Sequence, residues 1–173
     1  SIDSSTGEIS GTPTDLSTTP VTYTITATNT GGSATTTIDI TINDKAPVPL
    51  SPQGYTFVLP VDHSGLVTIL SYDTNGGTPT SWSFSPPLPN GLSHTPGNFW
   101  IQANPPLQIT PTTVYTVTAT NSGGSGSFTL NITINDLPPN SLSYSTTSFT
   151  ETIGSPMSAV TPTVSGGDVV TWE

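Results

Sequence analysis

"TYTITATNTGGSATTTIDITIND", Thr22 to Asp44, returns as "VYTVTATNSGGSGSFTLNITIND", Val114 to Asp136, an offset of 92 residues (136 − 44). A fixed period outranks local propensity in setting an architecture, and one of this length suits a compact β-sandwich better than a solenoid. In the first copy Tyr23, Ile25 and Ala27 alternate with threonines, Asn29 to Ser33 turn the chain, and Ile38, Ile40 and Ile42 alternate with Asp39 and Thr41. Period-two alternation of β-branched and aromatic residues gives each strand one buried and one wet face. The Asn and Gly residues of the turn are expected to supply positive φ. The second copy keeps the pattern with Tyr115, Val117 and Ala119, then Phe128, Leu130, Ile132 and Ile134. A slip of one residue would expose all of these side chains, so the register is firmly set. Each copy reads as a hairpin made of the last two strands of a sandwich.

The rest of a sandwich lies upstream of the second copy. "SWSFS" (Ser81 to Ser85) puts Trp82 and Phe84 on one face of a strand, and "GLVTILSY" (Gly65 to Tyr72) and "GYTFVLPV" (Gly54 to Val61) supply two more. Pro60 marks the last as an edge strand or a strand that switches sheets. "SGGDVVTWE" (Ser165 to Glu173) matches "NGGTPTSWS" (Asn75 to Ser83), setting Trp172 against Trp82. "SIDSSTGEISGTP" (Ser1 to Pro13) aligns with "SHTPGNFWIQANP" (Ser93 to Pro105). The expected organisation is therefore an all-β tandem of sandwiches, one complete and two partial. Residues 1–44 form the C-terminal half of one unit (about strands D to G), 45–136 a complete unit, and 137–173 the N-terminal half of a further one (about strands A to C).

"FSPPLPNGL" (Phe84 to Leu92) has no counterpart at either end, so the chain reads as a piece of a longer or processed polypeptide. Half a sandwich leaves its inner face and strand edges uncovered. A window of a long tandem array accounts for this and is the favoured arrangement. The other is a set of subunits that complete one another head to tail by strand complementation. Either way the expected partners are neighbouring copies of the same repeat.

Only 31% of the residues are hydrophobic and 7% charged, against roughly 45–50% and 25% in an average domain. With strict alternation, that composition describes thin-cored sandwiches rather than disorder. Lys45 is the single basic residue and the net charge is −10, so the chain does not neutralise phosphates, and nucleic acid and anionic membrane surfaces are excluded as partners. No apolar run reaches membrane-spanning length. The absence of cysteine removes disulfides and thiolate zinc sites, which fits a bacterial or archaeal surface protein better than an animal secreted one.

"GLS" (Gly91 to Ser93) and above all "SIDSSTGEISGTPT" (Ser1 to Thr14), followed by the first hairpin, resemble the immunoglobulin-like repeats of bacterial and archaeal cell-surface proteins, which are related in pattern to cadherin-like domains. The middle unit departs from the signature, with "GNFWIQANPP" (Gly97 to Pro106) in place of "GEISGTPT". The resemblance implies an extracellular, modular surface protein, adhesin or filament-like stalk, serving as spacer and presenter. It implies no catalytic residues and no enzyme activity.

Cadherin-like linkers bind calcium through acidic residues, which makes Asn43, Asp44, Asn135 and Asp136 the candidate calcium positions. Against this, calcium takes six to eight oxygens, several from carboxylates, and few acids lie near these junctions. A strand end followed by a proline-stiffened linker is the plainer reading. Trp82, Trp172, Tyr23 and Tyr115 are expected core residues. Phe99 and Trp100 are adjacent and face opposite ways on a strand, so at most one is buried in its own sandwich; the other is either covered locally by a loop or a candidate anchor for a neighbouring subunit or a sugar ring, and surface glycans and host or cell proteins are the wider candidate partners. Asn131 begins the one Asn-x-Ser/Thr sequon, "NIT", and is a candidate glycan acceptor. His63 and His94 have no evident nucleophile partner, and the "GGS" segments are turns rather than phosphate loops.

Overall fold

The computed structural model describes residues 1–51, 54–73, 75–95 and 97–173. It is all-β among the described residues. In chain order the strands are β1 (Ser17–Asn29), β2 (Gly32–Ile42), β3 (Pro49–Ser51), β4 (Tyr55–Pro60), β5 (Gly65–Ile69), β6 (Ser71–Tyr72) and β7 (Ser81–Ser85), then β8 (Leu92–Ser93), β9 (Trp100–Ala103), β10 (Thr110–Asn121), β11 (Gly124–Asn135), β12 (Asn140–Tyr144) and β13 (Pro162–Ser165).

The two repeated stretches form antiparallel hairpins in the same register. Tyr23 lies opposite Ile38 and Asn29 opposite Gly32; 92 residues on, Tyr115 lies opposite Leu130 and Asn121 opposite Gly124. The threonine-rich alternation dictates this, because only one register puts every apolar side chain on one face. The turns differ from expectation in one respect. Positive φ is carried by Gly32 (140°) and Gly124 (131°), while Asn29 keeps an ordinary backbone and uses its side chain, Oδ1 accepting the Gly31 N–H at 2.8 Å. An asparagine that bonds its own turn closes it without adopting the left-handed region.

The core lies between two sheets. One runs β4-β11-β10-β7 and the other β5-β9-β8, with β3 paired to β6 alongside. The inward residues of β10 and β11, Tyr115, Val117, Leu130, Ile132 and Ile134, are all buried and meet Leu70, Leu92 and Ile101 from the other side. Trp82 bridges the layers, edge-on to Phe99 at 6.1 Å and to Phe128 at 6.5 Å. Such geometry adds about 0.5–1.5 kcal/mol per pair beyond area burial. "GLVTILSY" divides at Leu70 into β5 and β6, which pair with β9 and β3 respectively. β4 is an edge strand, as Pro60 requires, and it pairs parallel with β11, Tyr55 to Pro60 against Leu130 to Asn135. This is an immunoglobulin-like β-sandwich.

β1–β2 and β12–β13 stand as two-stranded sheets of their own. Tyr23 is 49% exposed where its repeat counterpart Tyr115 is 2% exposed.

Candidate functional site

The most constrained polar arrangement is a joint. After β2 the chain from Asp44 to Pro49 passes between two sets of glycines, Gly76 and Gly77 on one side and Gly123 and Gly126 on the other. A methyl group on Gly77 would overlap the Lys45 carbonyl oxygen, one on Gly123 that of Asp44, and one on Gly126 that of Pro47. These three glycines are not at positive φ, so they are needed for space rather than for conformation.

Asn121, 8% exposed, ties the joint together. Its Nδ2 donates to the Lys45 carbonyl at 2.7 Å and reaches the Thr78 carbonyl at 3.4 Å. Its Oδ1 accepts the Gly123 N–H at 2.8 Å, and beside it the Asp44 N–H donates to Ser122 Oγ at 3.0 Å. A neutral amide suits this work: it satisfies donors and acceptors together without the desolvation cost of a buried charge.

One wall of this joint is repeated further along. A methyl on Gly167 would overlap the Leu137 carbonyl oxygen and one on Gly166 that of Pro138, just as Gly77 meets Lys45 and Gly76 meets Ala46. The Leu137 N–H donates to Asp136 Oδ1 at 2.8 Å, as the Lys45 N–H does to Asp44 Oδ1 at 2.8 Å.

Asp44 and Asp136 therefore each spend a carboxylate oxygen on the next residue's amide and abut a glycine. Among the described residues no three His, Cys, Asp or Glu side chains converge, and with Asn43 and Asn135 beside them the two aspartates do not make the several-carboxylate oxygen cage calcium requires. The donor set does not fit that ion.

The aromatic candidates separate by face. Phe99 points inward, half-buried, against Trp82 and against Tyr72 at 5.6 Å, whereas Trp100, on β9, is 42% exposed. Trp82 and Tyr115 are buried, and burial pushes the Tyr115 hydroxyl above its ordinary 10.0. Trp172 and Tyr23 are half-exposed. Asn131 sits within β11, its Nδ2 donating to Thr56 Oγ1 at 3.3 Å. His94 packs on Phe84 at 5.1 Å and donates from Nε2 to the Asn98 carbonyl at 2.8 Å. Desolvation lowers its pKa below 6.5, the Asn98 carbonyl opposing. The structure brings none of these candidates into the Asn121 joint, and sequence reasoning passed over Asn121, Gly77 and Gly123. The available signal was a glycine pair recurring downstream of each Asp-x-x-Pro segment, Gly76–Gly77 after Asp44 and Gly166–Gly167 after Asp136.

Residues 1–43 match the family described as "Putative Ig domain", so the immunoglobulin-like resemblance is shown on the stretch that carries "STGEISGTPT". Among solved structures, the chain is similar to human protocadherin-24 EC1-2, at 18% identity over 71% of this chain and 61% of that one, TM-score 0.47. It is also similar to the human desmocollin-1 ectodomain, at 19% identity over 87% of this chain and 33% of that one, TM-score 0.43. The tandem Ig domains A164-A165 of titin align at 17% identity over 67% of this chain and 62% of that one, TM-score 0.38. The chain spans less than two thirds of each. No curated protein matches it in sequence.

Proposed function

We propose that this chain is a structural repeat segment of an extracellular filament or long cell-surface stalk of the adhesin kind, joined end to end by a continuing chain or by strand complementation. One observation carries the reading: the hairpin register recurs at the 92-residue spacing that separates Asp44 from Asp136, and the Gly76–Gly77 wall of the joint recurs as Gly166–Gly167, 90 residues on (167 − 77). A module rebuilt with the same joint is suited to covering distance. In this reading the units are residues 1–44, 45–136 and 137–173, the proline-bearing joints limit bending, and no chemistry is performed. No helix among the described residues is long and apolar enough to cross a membrane. The test is small-angle scattering on one, two and three linked copies. The maximum dimension should grow by about 40 Å per sandwich, set by strands of about ten residues at ~3.4 Å each plus loops. A dimension that stays constant as copies are added would refute the spacer role.

Trp100 favours a second reading, a recognition module for a glycan or a protein. It stands outward on β9, 42% exposed, with Ile101 behind it fully buried, a rigid mount for an aromatic anchor. If Trp100→Ala abolishes attachment to cells or glycans while the scattering profile is unchanged, recognition is the function.

A further inference from the structure

We infer that residues 1–44 carry the receiving half of a second joint, and that its occupant is the segment Asp136–Pro139 of a second copy of this chain. This rests on the spacer reading and deepens it by naming the contact between copies.

In the joint around Asn121, Asp44 to Pro47 is held by two walls, one ending β10–β11 and the other following β6. Asp136 to Pro138 already lies on the second kind of wall, Gly166 and Gly167. Residues 1–44 hold the first kind. By the 92-residue offset, Asn29 corresponds to Asn121, Thr30 to Ser122 and Gly31 to Gly123. Asn29 Oδ1 accepts the Gly31 N–H at 2.8 Å, as Asn121 Oδ1 accepts that of Gly123 at 2.8 Å. The amide that gives its Nδ2 to Lys45 in one joint is thus set in the same posture in the other, at an exposed position. A methyl on Gly31 would meet nothing closer than Asn29 Oδ1 at 3.2 Å. Asp136 to Pro139 has one wall and β1–β2 has the other.

The faces beside the two half-joints match as well. Tyr23 and Trp172 are 49% and 54% exposed; their counterparts Tyr115 and Trp82 are 2% and 4% exposed in one core, where Trp82 lies opposite Ala119. Docking therefore sets Trp172 of one copy opposite Ala27 of the next, Leu137 O onto Asn29 Nδ2, and the Asp136 N–H onto Thr30 Oγ1. Phe149, 46% exposed, corresponds by the same offset to Phe57, which lies opposite Ile132, so it comes to Ile40. Covering large apolar side chains is favourable, and several are covered together here. Ala34 stands where the first joint has Gly126, so Pro139 sits farther from its strand than Pro47 does.

The chain has no cysteine, so introduced thiols report the contact without competition. Thr120 lies opposite Ser81 across β10 and β7; the corresponding positions are Thr28 and Thr171. Under mild oxidation, T28C/T171C should give a ladder at multiples of 17.8 kDa that collapses on reduction. Mixed single variants T28C and T171C should give the heterodimer, and neither alone a ladder. Adding Gly31→Ala puts a methyl where the Asp136 carbonyl of the second copy must lie, and should cut ladder yield about tenfold or more, since overpacking against backbone is costly. An unchanged far-ultraviolet circular dichroism spectrum at low concentration, where both chains are monomeric, shows that this variant keeps its fold. A T28C/T171C chain that stays at monomer mass, or closes a thiol bridge within one copy, overturns the proposal, as does a yield indifferent to Gly31→Ala. That failure leaves the spacer reading intact, because a continuing chain also delivers it and the scattering test decides it separately.

Discussion

Asn121 holds Lys45 by its backbone: Nδ2 donates to the Lys45 carbonyl at 2.7 Å across 76 residues of sequence. The lysine side chain takes no part in this bond, so position 45 serves the joint through its backbone, whereas position 121 serves it through its side-chain amide.

Asn121→Leu should therefore destabilise the chain by about 1–3 kcal/mol, leaving the Lys45 and Gly123 backbone groups without their partner. Asn121→Asp should cost more at neutral pH, because a carboxylate would face the Lys45 and Thr78 carbonyl oxygens, and part of that loss should be recovered in acid as it protonates. Urea unfolding at two pH values reads both; equal stability of Asn121→Asp and the parent at pH 7 would contradict the assignment.

Gly123→Ala should cost on the order of 1–3 kcal/mol through overlap with the Asp44 carbonyl, whereas Gly31→Ala in the monomeric chain should cost less than about 0.5 kcal/mol, because its one close neighbour, Asn29 Oδ1 at 3.2 Å, belongs to an exposed side chain free to give way. Thermal melts at low concentration compare the two. Equal effects would show that the glycines serve conformation instead of space.

Trp82→Ala removes the ring that joins both layers and should cost about 3–5 kcal/mol. Trp172→Ala, at a half-exposed site, should leave the midpoint of the melt within about 0.5 kcal/mol at low concentration. Comparable losses for the two tryptophans would mean that Trp172 is packed in the monomer.

His94 adds a pH dependence. Its folded pKa lies below the ordinary 6.5 because burial disfavours the imidazolium. The unfolded chain thus takes up the proton first, and stability falls as pH drops below about 6.5, levelling off beneath the lower folded value. His94→Gln should flatten that part of the profile, measured by urea midpoints between pH 7.5 and 5. A parent profile already flat there would contradict the burial of His94.

The hairpins were legible because period-two alternation fixes both the strand and its register. Three other features were not. The role of Asn29 in its turn is a side-chain matter: asparagine is favoured in turns both for positive φ and for bonding its neighbour, and composition does not separate the two. The parallel pairing of β4 with β11 joins stretches about 75 residues apart, and nothing in "GYTFVLPV" names its partner. Of the glycine walls, the "GGS" glycines read only as turns and Gly76–Gly77 carry no reading of their own, since a glycine kept for close approach looks in sequence like one kept for φ. Gly77 and Gly123 show the difference only once their φ values and neighbours are known.

The parallel run of β4 beside β11 has a mechanical meaning. Tension entering before Tyr55 and leaving after Asn135 pulls the two strands past each other, so the rungs from Leu130–Tyr55 to Asn135–Pro60 bear load at once instead of unzipping singly. A tether made from such links yields abruptly, at high force, and holds its length until it does.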